Sequence, residues 1–187
     1  VLILSTKQKH IPCLITIFGA TGDLSHRKLF PSIFHLYQQD NLDEHIAIIG
    51  IGRRDYNNEQ FRDQVKTSIQ TYVKDTDRID EFMTHVFYHK TDVSDKNSYQ
   101  SLLQFSERLD SEFALGGNRL FYLAMAPQFF GVISDYLKSS GLTQTKGFKR
   151  LVIEKPFGSD LKSAESLNNQ IRRSFKEEEI YRIDRYL

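Results

Sequence analysis

Short runs of β-branched and aromatic residues alternate along this chain with longer stretches whose apolar positions return every three or four residues. The short runs are "CLITIF" (13 to 18), "IAIIGI" (46 to 51), "VFYHK" (86 to 90), "RLFYLA" (119 to 124), "RLVIE" (150 to 154) and "IYRID" (180 to 184). Several are apolar on both faces, the mark of strands buried between two helical layers. Between them, Phe61, Val65, Ile69 and Val73 predict an amphipathic helix with Asn57 or Asn58 as its N-cap. Leu102, Leu103, Leu109 and Phe113 predict a second, ended by "GGN" at 116 to 118. Phe129, Phe130, Ile133, Tyr136 and Leu137 predict a third, stopped at Gly141, and residues 161 to 175 a fourth. Six strands with five helical connections imply right-handed crossovers. The expected fold is α/β: a doubly wound, Rossmann-type, six-stranded parallel sheet with helices on both faces. A flavodoxin-like strand order fits the same pattern, and the pattern does not choose between them.

Composition adds limits. At 187 residues the chain suits one domain, with residues 1–12 as an N-terminal extension and 13–187 as a dinucleotide-binding domain. Its formal charge is +1, so no global field favours nucleic acid or an anionic membrane, and an anion site must be local. Cys13 is the only cysteine, read as a core residue in a reducing, cytoplasmic setting. The apolar runs are too short to span a bilayer. The chain opens on Val and closes on "IYRIDRYL" without a polar tail, from which trimming at both ends is expected.

In an open α/β sheet, ligands bind beyond the carboxyl ends of the strands, so the residues just past each run carry the chemistry. After the first run comes Gly19-Ala20-Thr21-Gly22-Asp23-Leu24, a shortened glycine fingerprint. Gly19 can turn the chain tightly, Gly22 lets a helix start close to the strand, and the first amides of that helix face an anion such as a pyrophosphate. Its plain alternative is a tight strand-to-helix turn. After the second strand, where an NAD site wants an acid for the ribose hydroxyl, stand Arg53 and Arg54, which suit a 2'-phosphate. Each charge-assisted hydrogen bond is worth about 1.5 to 3 kcal/mol, so two would favour NADP over NAD by roughly two orders of magnitude. Asp55 keeps NAD open as an alternative cofactor.

In "EKPFG", Lys155 has the reach to a substrate hydroxyl, a phosphate or a cofactor carboxamide, and Pro156 is a candidate cis proline. His85 and His89 lie on a strand, where a spacing of four does not gather two imidazoles on a metal, so no metal site is expected. Ser25-His26 lacks an acid for a triad, and "KEEE" at 176 to 179 reads as a solvated turn.

Taken together, "GATGDLSHRKLFPSIFHLY", "NRLFYLAMAP", "EKPFG" and "YRIDRYL" resemble the glucose-6-phosphate dehydrogenase family in its bacterial form, in order and from about Cys13 to Leu187. The resemblance implies oxidation of the C1 hydroxyl of glucose 6-phosphate to the lactone, with hydride passed to NADP. It assigns cofactor binding to Gly19 through Leu24, Arg53, Asp92 and Val93, and cleft lysines to Lys28 and Lys155, the latter touching both substrate and cofactor. Asp184 matches the aspartate that orients the catalytic histidine. Arg185 and Tyr186 fall in the sugar-phosphate motif.

Two departures stand out. The family motif continues as RIDHYLGK, whereas the histidine position here is Arg185, whose planar head binds phosphate but cannot copy an imidazole. The family's base histidine, most sugar contacts and its homo-oligomer interface belong to a second α+β domain absent from these residues. The expectation is an NADP-binding fragment that is catalytically incompetent alone. The alternatives are a small reductase of the glucose-fructose oxidoreductase type or a stand-alone NADP-sensing module.

Overall fold

The computed structural model describes residues 5–6, 9–155 and 160–184. Six strands form one sheet: β1 (Cys13–Phe18), β2 (Ile46–Gly52), β3 (Val86–Lys90), β4 (Arg119–Leu123), β5 (Lys149–Lys155) and β6 (Ile180–Asp184). Their order is β3-β2-β1-β4-β5-β6, every neighbouring pair parallel. This is the Rossmann order rather than the flavodoxin-like one. A two-residue ribbon, Ser5–Thr6 against Lys9–His10, precedes the sheet.

The helices are α1 (Phe30–Gln38), α2 (Asn58–Tyr72), α3 (Ile79–Met83), α4 (Ser98–Phe113), α5 (Phe130–Ser139) and α6 (Leu161–Arg172). Because side chains alternate along a strand, β1 sends Ile15 and Ile17 into a core with Phe30, Phe34, Phe61, Val65 and Phe82. Leu14 and Phe18 enter the opposite core with Leu102, Ile133, Leu137 and Ile171. β1 and β2 are buried along their whole length between these two cores. No helix among the described residues is long and apolar enough to cross a membrane.

Asn57 caps α2: its Oδ1 accepts from the Gln60 amide at 2.8 Å, and Gln60 Oε1 accepts from the Asn57 amide at 2.9 Å. This reciprocal pair fixes where the "GRRD" segment ends and α2 begins. α2 stops at Tyr72, because Val73 is already extended while its amide still bonds Ile69 O at 2.8 Å. α6 stops at Arg172, three residues short of the periodic stretch. Ser174 and Phe175 turn into the core there, with Ser174 Oγ donating to Ser134 O at 2.8 Å. The apolar position at 175 belongs to this turn and not to the helix.

Short elements, α3 and a π-turn among them, are invisible in the hydrophobic pattern. α3 is only five residues long, and its N-cap Arg78 is left-handed at φ 69°. The Arg78 guanidinium ties it down, reaching Asp40 at 2.8 Å and Glu81 at 3.0 Å. The second is a π-turn over Ser25–Leu29 that leads into α1. The "KEEE" segment is a 3-10 turn, Glu177–Glu179, and more than a solvated bend: Glu177 accepts from Arg172 at 2.9 Å and from Arg182 at 2.6 Å, binding α6 to β6.

Replacing Asn57 by Ala is expected to lower unfolding free energy by about 1 kcal/mol, read from urea midpoints. Glu81 offers a pH test. The hydrogen bond from Arg78, and then that from Tyr37, lower its pKa from the ordinary 4.5 to about 2. A depressed carboxyl stabilises the fold above its unfolded pKa and loses that contribution as pH falls through the folded one. Glu81→Gln should therefore flatten the fall in stability between about pH 4.5 and 2; an unchanged acid limb would show that the ion pair contributes nothing.

Candidate cofactor site

β1 ends against the backbone of β2. The amides of Gly19 and Ala20 both donate to Ile51 O, at 3.1 and 3.0 Å, which folds the chain back over the strand end. Gly19 is left-handed at φ 84°, and a Cβ there would run into the Ala124 carbonyl beyond β4. Only glycine meets both demands. The Gly19 carbonyl is in turn held by the Gly22 amide at 3.0 Å and by the buried Ser25 Oγ at 2.9 Å. Asp23 and Leu24 are already helical, and the first closed turn is His26 N onto Gly22 O at 3.2 Å. Amides ahead of that bond have no acceptor within the helix and carry the positive end of its dipole.

A cleft of about 300 Å³ opens above this turn. Gly19, Thr21 and Gly22 form one wall, Gly52, Arg53 and Arg54 a second, and Thr91, Val93, Ala124 and Met125 close it. Backbone amides therefore face a pair of cations across a space whose remaining lining is largely apolar. Free amides at a helix start facing two guanidinium groups make a donor set that suits a phosphate-bearing ligand. Arg53 and Arg54 are exposed. Arg54 Nη1 donates to Tyr56 Oη at 3.3 Å, and Tyr88 Oη donates to the Arg54 carbonyl at 2.6 Å. Burial, then the neighbouring Tyr56, raises the Tyr88 pKa to about 12, so the phenol keeps its proton.

The other sequence candidates divide. Val93 lines the cleft, whereas the Asp92 carboxylate turns aside to accept from the Ser94 amide at 3.0 Å. Asp23 pairs with Arg27 at 2.8 Å on the helical start. Lys28 is exposed on the π-turn that comes next. Lys155 and Asp184 are register partners at the carboxyl ends of β5 and β6. Pro156, Arg185 and Tyr186 lie outside the described residues.

His85 and His89 serve structural bonds. Nδ1 of His85 is 2.6 Å from Ile46 O, and Nδ1 of His89 is 2.6 Å from Thr91 Oγ1. Cys13 is buried in the core, and burial pushes its thiol pKa up.

Thr91 joins the site without a motif to mark it, and Ala124 and Met125 lie within "NRLFYLAMAP" but are not singled out there; their position just past β3 and β4 is the signal the sequence offers. Tyr88 offers none, because it acts through a backbone carbonyl distant in sequence, and Ser25 acts locally, through the Gly19 carbonyl six residues before it. A larger recess, about 600 Å³, lies at the opposite rim and is lined partly by Lys138, Lys149 and Arg173. Its lysines cap the end of α6, Lys138 Nζ reaching Arg173 O at 2.7 Å and Lys149 Nζ reaching Ser174 O at 2.8 Å.

Residues 16–187 match the family described as glucose-6-phosphate dehydrogenase, NAD binding domain. Glucose-6-phosphate 1-dehydrogenase of Bacillus subtilis is 52% identical over 174 residues, covering 93% of this chain and 35% of the relative. That of Leuconostoc mesenteroides is 42% identical over 177 residues, covering 95% and 36%. A solved glucose-6-phosphate dehydrogenase in complex with its substrate glucose-6-phosphate superposes with a TM-score of 0.85 at 36% identity, over 96% of this chain and 37% of that one. Glucose-6-phosphate 1-dehydrogenase from Mycobacterium avium gives 0.77 at 31%, over 91% and 36%. The chain thus spans about a third of the length of the relatives it matches. With its six-stranded Rossmann sheet and glycine turn, it belongs to the glucose-6-phosphate dehydrogenase family and corresponds to that family's nicotinamide-dinucleotide-binding domain.

Proposed function

We propose that these 187 residues are the NADP-binding part of an enzyme that oxidises glucose 6-phosphate at C1. Hydride leaves C1 for the nicotinamide, the C1 hydroxyl gives its proton to a base, and the product is the 6-phosphogluconolactone. The observation that carries this reading is the pairing, in one cleft, of the glycine turn with Arg53 and Arg54. A diphosphate on the helix start brings the adenosine ribose toward the end of β2, where the guanidinium groups favour a 2'-phosphate over a bare hydroxyl.

Lys155 and Asp184 end neighbouring strands in register. In this reading Lys155 contacts sugar and cofactor, Asp184 orients the base histidine, and Lys28, Arg185 and Tyr186 serve the sugar phosphate. Asp92 contributes on the adenosine side through its backbone, since its carboxylate is engaged by Ser94. The setting is cytoplasmic, in keeping with a single cysteine held in the core.

Equilibrium titration tests the cofactor assignment. NADP should bind more tightly than NAD, and the pair Arg53→Ala with Arg54→Ala should weaken NADP by about a hundredfold while leaving NAD nearly unchanged. Equal losses for both would remove the 2'-phosphate assignment. In a second measurement, the 187-residue chain mixed with NADP and glucose 6-phosphate should release no NADPH above background. Ordinary turnover would mean that a base lies within these residues.

A further inference from the structure

On the face of β2 that looks toward α2, Gly50 and Gly52 stand two residues apart, leaving a strip of strand without side chains. Aromatic groups fill it. The Phe61 ring occupies the place a Cβ on Gly50 would take, and a Cβ on Gly52 would lie 2.9 Å from Tyr88 Oη and 3.0 Å from the Thr21 methyl. Tyr88 is the register partner of Gly50, so its phenol leans forward along β2 to the carboxyl rim. There its hydroxyl makes the 2.6 Å bond to the Arg54 carbonyl.

Tyr88 itself is 7% exposed. Its ring packs on Phe61 and Tyr56, with centroids at 4.9 and 5.6 Å, and its amide donates to Asn58 Oδ1 at 2.8 Å. Tyr56 completes the frame by accepting from the Arg54 guanidinium. The buried phenol of an edge strand thus reaches past a glycine to hold the backbone carbonyl of Arg54, the second of two exposed arginines.

We propose that Tyr88, with Tyr56, is a positioning residue for the 2'-phosphate, holding Arg54, and through the shared backbone the segment that carries Arg53, at the angle from which a phosphate is taken. This rests on the NADP reading above and extends it to residues that do not touch the ligand. With its carbonyl pinned by Tyr88 and its guanidinium bonded to Tyr56, Arg54 has less freedom left to give up on binding than an unsupported exposed arginine. A hydrogen bond sheltered from water survives where an exposed ion pair would be screened. The glycine at 52 is then required for access of the phenol to Arg54, as well as for the close approach of Thr21.

The test uses the 187-residue chain with two ligands that differ only in the 2'-phosphate, 2',5'-ADP and 5'-AMP. Wild type should favour 2',5'-ADP. Tyr88→Phe should weaken 2',5'-ADP about five- to tenfold and leave 5'-AMP within about twofold, with Tyr56→Phe giving a smaller loss of the same kind. In an Arg53→Ala, Arg54→Ala background, Tyr88→Phe should make no further difference to 2',5'-ADP. Should Tyr88→Phe fail to fold, Tyr56→Phe decides, being only partly buried and at the edge of the core. Parallel losses for both ligands, or an unchanged ratio in the variants, would overturn the positioning role while leaving the NADP reading intact. A wild type that does not distinguish the two ligands would overturn the NADP reading, and the positioning role with it.

Discussion

The cofactor rim depends on how closely three strands' backbones approach one another at the turn after β1. Two amides of that turn share one carbonyl of β2, and the same turn passes beneath the carbonyl of Ala124 at the end of β4. No side chain fits between them. Because β1 lies at the centre of the sheet, with β2 on one side and β4 on the other, this contact fixes where a helix N-terminus can stand relative to both. A cleft with amides on one wall and arginines on the next is the geometric consequence.

The order of burial supports that arrangement. β1 and β2 are enclosed on both faces, where each isoleucine or phenylalanine contributes about 1.5 to 3 kcal/mol by leaving water. Their carboxyl ends are therefore held rigidly while the residues just beyond them stay in solvent. Side chains with chemistry occupy those exposed positions, and polar groups beneath them bond to backbone: Ser25 to Gly19, Tyr88 to Arg54, Asn57 to Gln60. Rigid support with exposed arginines is the combination that lets a charged ligand bind without a large ordering cost.

The opposite rim shows the complementary use of charge. Lys138 and Lys149 have the look of a second anion site, but each spends its ammonium on a carbonyl at the end of α6. Likewise Glu177 draws Arg172 and Arg182 together, tying the end of α6 to β6 at a point two residues before Asp184. These contacts secure the last strand of the sheet, whose end carries Asp184 in register with Lys155.

Much of this is legible along the chain, and the reason is local. A strand buried on both faces must be continuously apolar, a helix must repeat near 3.6, and a strand-to-helix turn over a phosphate needs glycine, so the six strands, the long helices and Gly19 through Leu24 appear in one dimension. Short or irregular pieces do not: α3 is held by Arg78 reaching back to Asp40, and Phe175 looks helical by spacing although it folds into a turn. Strand order is equally silent, since a crossover of given length can deliver a strand to either edge. Thr91, Met125 and Tyr88 take their roles from neighbours far off in sequence, through hydrogen bonds to carbonyls and gaps left by glycines. Only the packed sheet brings these together, because a carbonyl has no identity in the sequence and becomes a partner only when the fold presents it.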